Sequence, residues 1–180
     1  MIKRTILLLL VILGISQGVK AQYYGVRLNT LALTTGTLNA SFEVMLGDKY
    51  TADISAYWNP VKAKNLQMQF IAVQPGIRRW FYESYTGHFV AAHLAYAHYS
   101  VGGSDHYSKG WLTGIGVSYG YAWPLSKRWN LSVEAGLGIY FMRDTKRAHY
   151  VGEFDDEYIR RYRRWKLLPS KCEVSFTYLF

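Results

Sequence analysis

The chain has 180 residues, enough for one domain, with a formal net charge of +9, 17% aromatic residues and only 18% charged ones. A single cysteine, Cys172, excludes an internal disulfide framework. The basic excess would suit nucleic acid, but the N-terminus reads as an export signal, so anionic lipid headgroups are the expected partner and nucleic acid is not.

Lys3 and Arg4 precede an apolar run from Ile6 to Ile15, and Val19-Lys20-Ala21 stands before Gln22. A charged start, a short apolar stretch and a small-residue site predict a secretory signal cut between Ala21 and Gln22. The run falls short of the ~20 residues that a membrane-spanning helix needs. No cysteine follows the cut to carry a lipid anchor.

Beyond Gln22 the sequence alternates, and a period of two means strands with one apolar face. The first strand sets Val26 and Leu28 against Arg27 and Asn29; the second sets Ala40, Phe42, Val44 and Leu46 against Ser41, Glu43 and Met45. A Gly47-Asp48-Lys49 turn leads to Ala52, Ile54, Ala56 and Trp58 opposite Thr51, Asp53, Ser55 and Tyr57, with Asn59-Pro60 as the expected stop. In the fourth strand Ile71, Val73, Pro75 and Ile77 face away from Ala72, Gln74, Gly76 and Arg78, and the proline predicts a bulge or distortion. After a turn over Glu83–Gly87, Val90, Ala92, Leu94 and Tyr96 oppose Phe89, Ala91, His93 and Ala95.

The pattern then sharpens. Trp111, Ile115, Val117, Tyr119, Tyr121 and Trp123 oppose Gly114, Gly116, Ser118, Gly120 and Ala122; Leu131 to Phe141 alternate against Ser132, Glu134, Gly136, Gly138 and Tyr140. A charged segment from Arg143 to Lys166 leads to the last strand, in which Cys172, Val174, Phe176, Tyr178 and Phe180 alternate with Lys171, Glu173, Ser175 and Thr177. Cys172 is expected as a buried, inert thiol. Val174, Phe176, Tyr178 and the terminal Phe180 resemble the assembly signal read by the outer-membrane barrel-assembly machinery.

About eight amphipathic strands with alternating short and long connections predict an all-β fold, an eight-stranded antiparallel transmembrane barrel of the outer membrane. The polar face carries glycine, serine and isolated charges, which suits a narrow lumen filled by side chains rather than a channel. Arg27, Arg78 and Lys171 are expected to neutralise Glu43, Asp53, Glu134 and Glu173 there. Trp58, Trp111 and Trp165 fall at the outer strand ends and Trp80, Trp123 and Trp129 at the inner ends, as two aromatic girdles would require.

Several stretches together resemble a family of small outer-membrane barrels of Bacteroidota, a domain of unknown function often encoded near fimbrial genes. They are Val73-Gln74-Pro75-Gly76-Ile77-Arg78-Arg79-Trp80-Phe81, Gly87-His88-Phe89, the run from Gly114 to Tyr121, Ser126-Lys127-Arg128-Trp129-Asn130-Leu131, and Tyr178-Leu179-Phe180. The resemblance implies an outer-membrane location, no established activity, and no catalytic residues to carry over. Fimbrial or other surface proteins enter as expected partners on this ground alone, beside outer-membrane lipid and lipopolysaccharide.

The chain reads as non-enzymatic and without a cofactor. A lipid A acyl hydrolase is the alternative, because His98 and Ser100 share a strand face as a base and nucleophile would; no acidic partner is evident, and His106-Tyr107-Ser108 repeats the pattern in a loop. A soluble periplasmic barrel is the second. His88, His93, His98, His106 and His149 are too scattered for a metal site, and His93 is expected to turn inward as a hydrogen-bonder. The expected binding surface is an outer loop at about 143–166, centred on Tyr158, Arg160, Arg161, Tyr162, Arg163 and Arg164. Asp156 with Arg160 would suit a helix and the alternation of Tyr158 to Arg164 a strand, and both remain open.

Overall fold

The computed structural model describes residues 24–63, 66–103, 106–149 and 157–180; the expected cleavage site at Ala21 and Gln22 lies outside them. Eight antiparallel strands close into a ring in sequence order. They are β1 (Tyr24–Asn29), β2 (Leu38–Gly47), β3 (Tyr50–Ala63), β4 (Leu66–Trp80), β5 (Gly87–Gly102), β6 (His106–Pro124), β7 (Trp129–His149) and β8 (Glu157–Leu179). One short helix, α1 (Thr30–Thr34), joins β1 to β2. Its N-terminus is capped by the Asn29 side chain, which accepts from the Ala32 amide.

Alternation decides the faces. Arg27, Ser41, Glu43, Thr51, Asp53, Ser55, Arg78, Ser118, Glu134, Lys171 and Glu173 are buried in the lumen, while Ile115 (62%), Val117 (65%) and Leu167 (67%) stand exposed on the wall. The barrel is polar inside and apolar outside, the reverse of a water-soluble core. Cys172 shares the outer face and is exposed rather than buried.

Strand length grows at each step around the ring, from 6 residues in β1 to 23 in β8. At the end that holds Tyr24 and Phe180 the strands are joined by turns of two to six residues, so the wall rises at the far end from β1 to β8. Pairing of β1 with β8 stops at Asn29 and Ser175, while β7 accompanies β8 up to Glu157. Where the β1 ladder stops, Asn29 Oδ1 accepts from the Val174 amide and Thr30 Oγ1 donates to the Val174 carbonyl.

One local expectation is corrected and a second is met in part. Asn59-Pro60 does not end β3, which pairs with β4 out to Ala63. Pro75 makes no bulge, staying in step with Ile54, but the expected distortion appears on its other side, where pairing to β5 skips Gln74 and Pro75. Register shifts come elsewhere: between Met45 and Gly47 where β2 meets β3, and in β8, where Ser170 is the extra residue opposite Gly136 and Leu137, beside Pro169.

The lumen is packed in layers. At the terminal end Trp80, Tyr85, Phe89 and Ala122 form a buried cluster, with the Trp80 ring 4.6 Å from Phe89. The expected turn at Glu83–Gly87 thus folds inward, and Tyr85 adopts a left-handed backbone (φ 68°) to reach its place. At the far end Ala95, Tyr140 and Met142 make a second apolar layer. Between them His93 lies over Gly116, where a Cβ would come 2.4 Å from His93 Nε2. Gly116→Ala should therefore cost about 1–3 kcal/mol in urea unfolding of the folded protein. Part of that cost should vanish in a His93→Ala background, where the Ser170 Cβ at 2.9 Å still crowds the position; an equal cost in both would remove His93 as the reason for the glycine.

Candidate functional site: the charged lumen and the far-end extension

The central layer of the lumen is one ionic network. Arg27 reaches Glu43 and Asp53 at 3.0 Å each and Glu173 at 3.8 Å. Arg78 bridges Glu43 (2.8 Å) and Glu134 (2.5 Å), and Lys171 sits 3.2 Å from Glu134 and 3.8 Å from Asp53. All seven residues named from the sequence meet here, though they come from β1, β2, β3, β4, β7 and β8. Hydroxyls cover further carboxylate oxygens: Thr51 donates to Glu43, Ser118 to Glu134 and Tyr57 to Glu173, while Asp53 Oδ1 has no hydrogen-bond partner among the described residues. Three cations face four carboxylates, so hydroxyl donors carry part of the compensation. The arrangement fills space and offsets most of its own charge; among the described residues it offers no open site.

His93 turns inward as expected and is 3% exposed, but neither ring nitrogen has a protein partner among the described residues. Trp80 corrects the girdle. It shares parity with Arg78, so its ring enters the lumen and its indole N–H donates to Thr51 Oγ1 at 3.0 Å. The other five tryptophans face outward. At the far end Tyr96, Trp111, Phe141 and Trp165 form a chain of rings with centroids 6.4, 5.9 and 5.3 Å apart. Trp58 is exposed on β3. At the terminal end Trp129 packs on Tyr178, Tyr121 on Trp123, and Phe180 between Tyr24 and Tyr178. Phe180 also exchanges two main-chain hydrogen bonds with Tyr24, so the last residue closes the β1–β8 seam.

The segment from Arg143 to Lys166 is not a loop over most of its length. β7 runs to His149 and β8 begins at Glu157, and the two strands pair throughout this extension. The strand alternative is the one adopted. Its charged residues therefore separate by face. Arg164 turns inward, where it donates to the buried Asp144 carboxylate at 2.9 Å beside Ser108. Tyr162 shares that face, while Arg161 and Arg163 are exposed on the outer one. The expected surface is thus divided, because consecutive residues of a strand alternate. Tyr158 and Arg160 lie in β8, with side chains outside the described residues.

His98 and Ser100 sit on β5 as two separate pairs. His98 Nε2 is hydrogen-bonded to the Tyr96 hydroxyl at 2.6 Å, and Ser100 Oγ accepts from Gln67 at 2.9 Å. His88 likewise meets Tyr119 at 2.6 Å. The side chains of His106 and His149 fall outside the described residues. Among the described residues no cluster of three metal-ligating side chains occurs.

A closed eight-stranded antiparallel ring with a neutralised, filled lumen and an apolar outer wall defines the class of protein. Within it, the chain belongs to the family described as a protein of unknown function (DUF3575), whose model matches residues 6–180. No curated protein and no solved structure matches the chain.

Removing one member of the network strands its buried partners. Arg27→Met should cost about 3–5 kcal/mol of unfolding free energy. Adding Glu43→Gln should recover part of that loss, since two cations would then face three carboxylates rather than four. Strict additivity of the two substitutions would mean that the charges are not coupled.

Proposed function

We propose that the protein is an exported, integral outer-membrane barrel without enzymatic activity, serving the envelope structurally or meeting surface partners through its far-end extension. The observation that carries this reading is the reversed burial: charges inside, aliphatic side chains outside. Large exposed apolar surfaces mark contact with a non-aqueous partner, and here the apolar surface runs right around the ring. No helix among the described residues is long and apolar enough to cross a membrane; the strands from β2 to β8, of 10 to 23 residues, have the reach of a tilted spanning strand, and β1, of six, does not. Trp111 and Trp123 lie twelve residues apart on β6. At about 3.3 Å per residue and a tilt of about 40° they stand ~30 Å apart along the barrel axis, the thickness of a hydrocarbon core.

On this reading the aromatic tiers lie at the two interfaces and the signal is removed before Gln22. The terminal strand is read by the assembly machinery. The far end faces outside, where lipopolysaccharide and surface proteins, fimbrial ones among them, are within reach. The filled lumen favours a non-conducting barrel over a channel. The separate pairing of His98 and Ser100 gives the acyl-hydrolase alternative no added support.

Cys172 supplies the test. It is exposed on the wall of β8, between Trp165 and Tyr178. In outer-membrane fractions that resist carbonate washing, a membrane-impermeant maleimide should leave it unmodified, and label it after denaturation. Rapid labelling of a soluble periplasmic protein would end the membrane reading and restore the soluble barrel.

The terminus can be separated from its structural part. Phe180→Ala keeps the two main-chain bonds to Tyr24 and removes only the ring. Outer-membrane yield should fall several-fold more than for Leu131→Ala, a comparable apolar truncation on β7. Equal yields would deny the terminal ring a recognition role.

A further inference from the structure

The outer face of β6, β7 and β8 is a regular grid, because pairing fixes which residues stand side by side. Lys109, Thr145 and Arg161 form the highest described row, and Trp111, Arg143 and Arg163 the next. Below come Thr113, Phe141 and Trp165, then Ile115, Ile139 and Leu167. Each step is two residues, or about 7 Å along the strand. Two basic rows therefore lie directly on an aromatic row, which lies on an aliphatic one.

The basic rows are out of balance. Arg143 and Arg163 are directly opposite on neighbouring strands, an arrangement that destabilises a sheet. Lys109, Arg143, Arg161 and Arg163 are all exposed on the wall, and none has a carboxylate partner among the described residues. Asp144, next to Arg143 in sequence, points to the opposite face and is held by Arg164. A bound polyanion would offset the repulsion, and guanidinium forks match phosphate oxygens.

The rows beneath say how that anion is carried. An apolar groove of about 640 Å³ crosses the wall, walled by Ile115, Leu137, Ile139 and Leu167. Arg143 stands four residues above Ile139 and Arg163 four above Leu167, about 13 Å along each strand. That is the separation of a phosphorylated headgroup from the middle of its acyl chains. Phe141 and Trp165 lie between, with Trp111 level with the arginines, where aromatic rings mark a lipid interface.

We propose that this face is a specific site for a phosphorylated, multiply acylated glycolipid, with Lys109, Arg143, Arg161 and Arg163 on its phosphates and the groove on its acyl chains. The inference rests on the membrane reading above and adds to it a ligand class and its residues. A free phosphate or a soluble polyanion would use the same arginines and leave the groove empty.

The test uses the full barrel in nanodiscs of phosphatidylcholine doped with lipid A, in its phosphorylated or its dephosphorylated form. Lipid retained by the protein after exchange into lipid-free detergent is counted by native mass spectrometry. The wild type should retain phosphorylated lipid A at least tenfold better than the dephosphorylated form, a comparison that needs no variant. A quadruple variant, Lys109→Gln, Arg143→Gln, Arg161→Gln and Arg163→Gln, should lose that preference while keeping wild-type heat-modifiable migration. Equal retention of the two lipids by the wild type would overturn the proposal. So would displacement of lipid A by millimolar inorganic phosphate, which would make the site one for soluble anions. A protein that stays outside the nanodiscs would overturn the membrane reading itself, an outcome distinct from a barrel that inserts and does not discriminate.

Discussion

The interior of this ring is too narrow to hold water as a solvent and too charged to be left to itself. Eight strands give a lumen that side chains must fill, and a charge placed there is stable only beside its opposite with its remaining donors or acceptors occupied. Arg27 is the centre of that constraint. It comes from the shortest strand, where six residues alone could not hold a place in a ring, and it is tied to carboxylates of β2, β3 and β8. Arg78 and Lys171 extend the same ties to β7. The network therefore does across the lumen what main-chain hydrogen bonds do around it. It also specifies register: a one-residue slip of any contributing strand would turn its charge outward onto the apolar wall.

The rising height of the wall leaves a second problem, which the chain solves locally. Above Ser175 the edge of β8 that faces β1 runs on without a ladder partner among the described residues. Bare edges invite pairing with other chains. Here Asn29 and Thr30 occupy the amide and carbonyl of Val174, Ser170 bulges the strand next above, and Pro169 brings no donor. Higher still come Lys166, Arg164, Arg163 and Arg161, which disfavour a second β8 by like charge. The edge is blunted by four different means within fifteen residues.

Much of this was legible in the sequence, because alternation assigns each strand residue a face before any partner is known. The seven lumen charges fall on one parity in their strands, and so they meet. Trp80 shows the limit of a rule applied out of order. Its position at a strand end suited a girdle, but its parity is that of Arg78, and parity is the stronger constraint because a strand cannot turn one side chain alone. The aromatic plug followed from the same parity in Phe89, yet its third ring, Tyr85, reaches the lumen from a turn, where no period exists to read. The helix α1 was invisible for a similar reason, since five residues carry no helical repeat and Asn29 looked like one more inward residue of β1. The bulge at Ser170 was hidden because the alternation is restored on either side of it.

The charged segment after Phe141 failed as a sequence reading in a more instructive way. A strand is recognised by an apolar face, and this extension has charge on both faces, so it resembled a loop. Once β7 and β8 are seen to pair to their tips, the run of arginines stops being one surface. Arg164 belongs to the lumen, closing its far end on Asp144, and the tally of basic residues overstates what is available to a partner. Arg161 and Arg163 remain on the wall beside Arg143, with no described acid among them. The network across six strands pairs its charges in the lumen, whereas these three stand together on the wall with no carboxylate partner among the described residues, which is why a ligand from outside the chain is proposed for them.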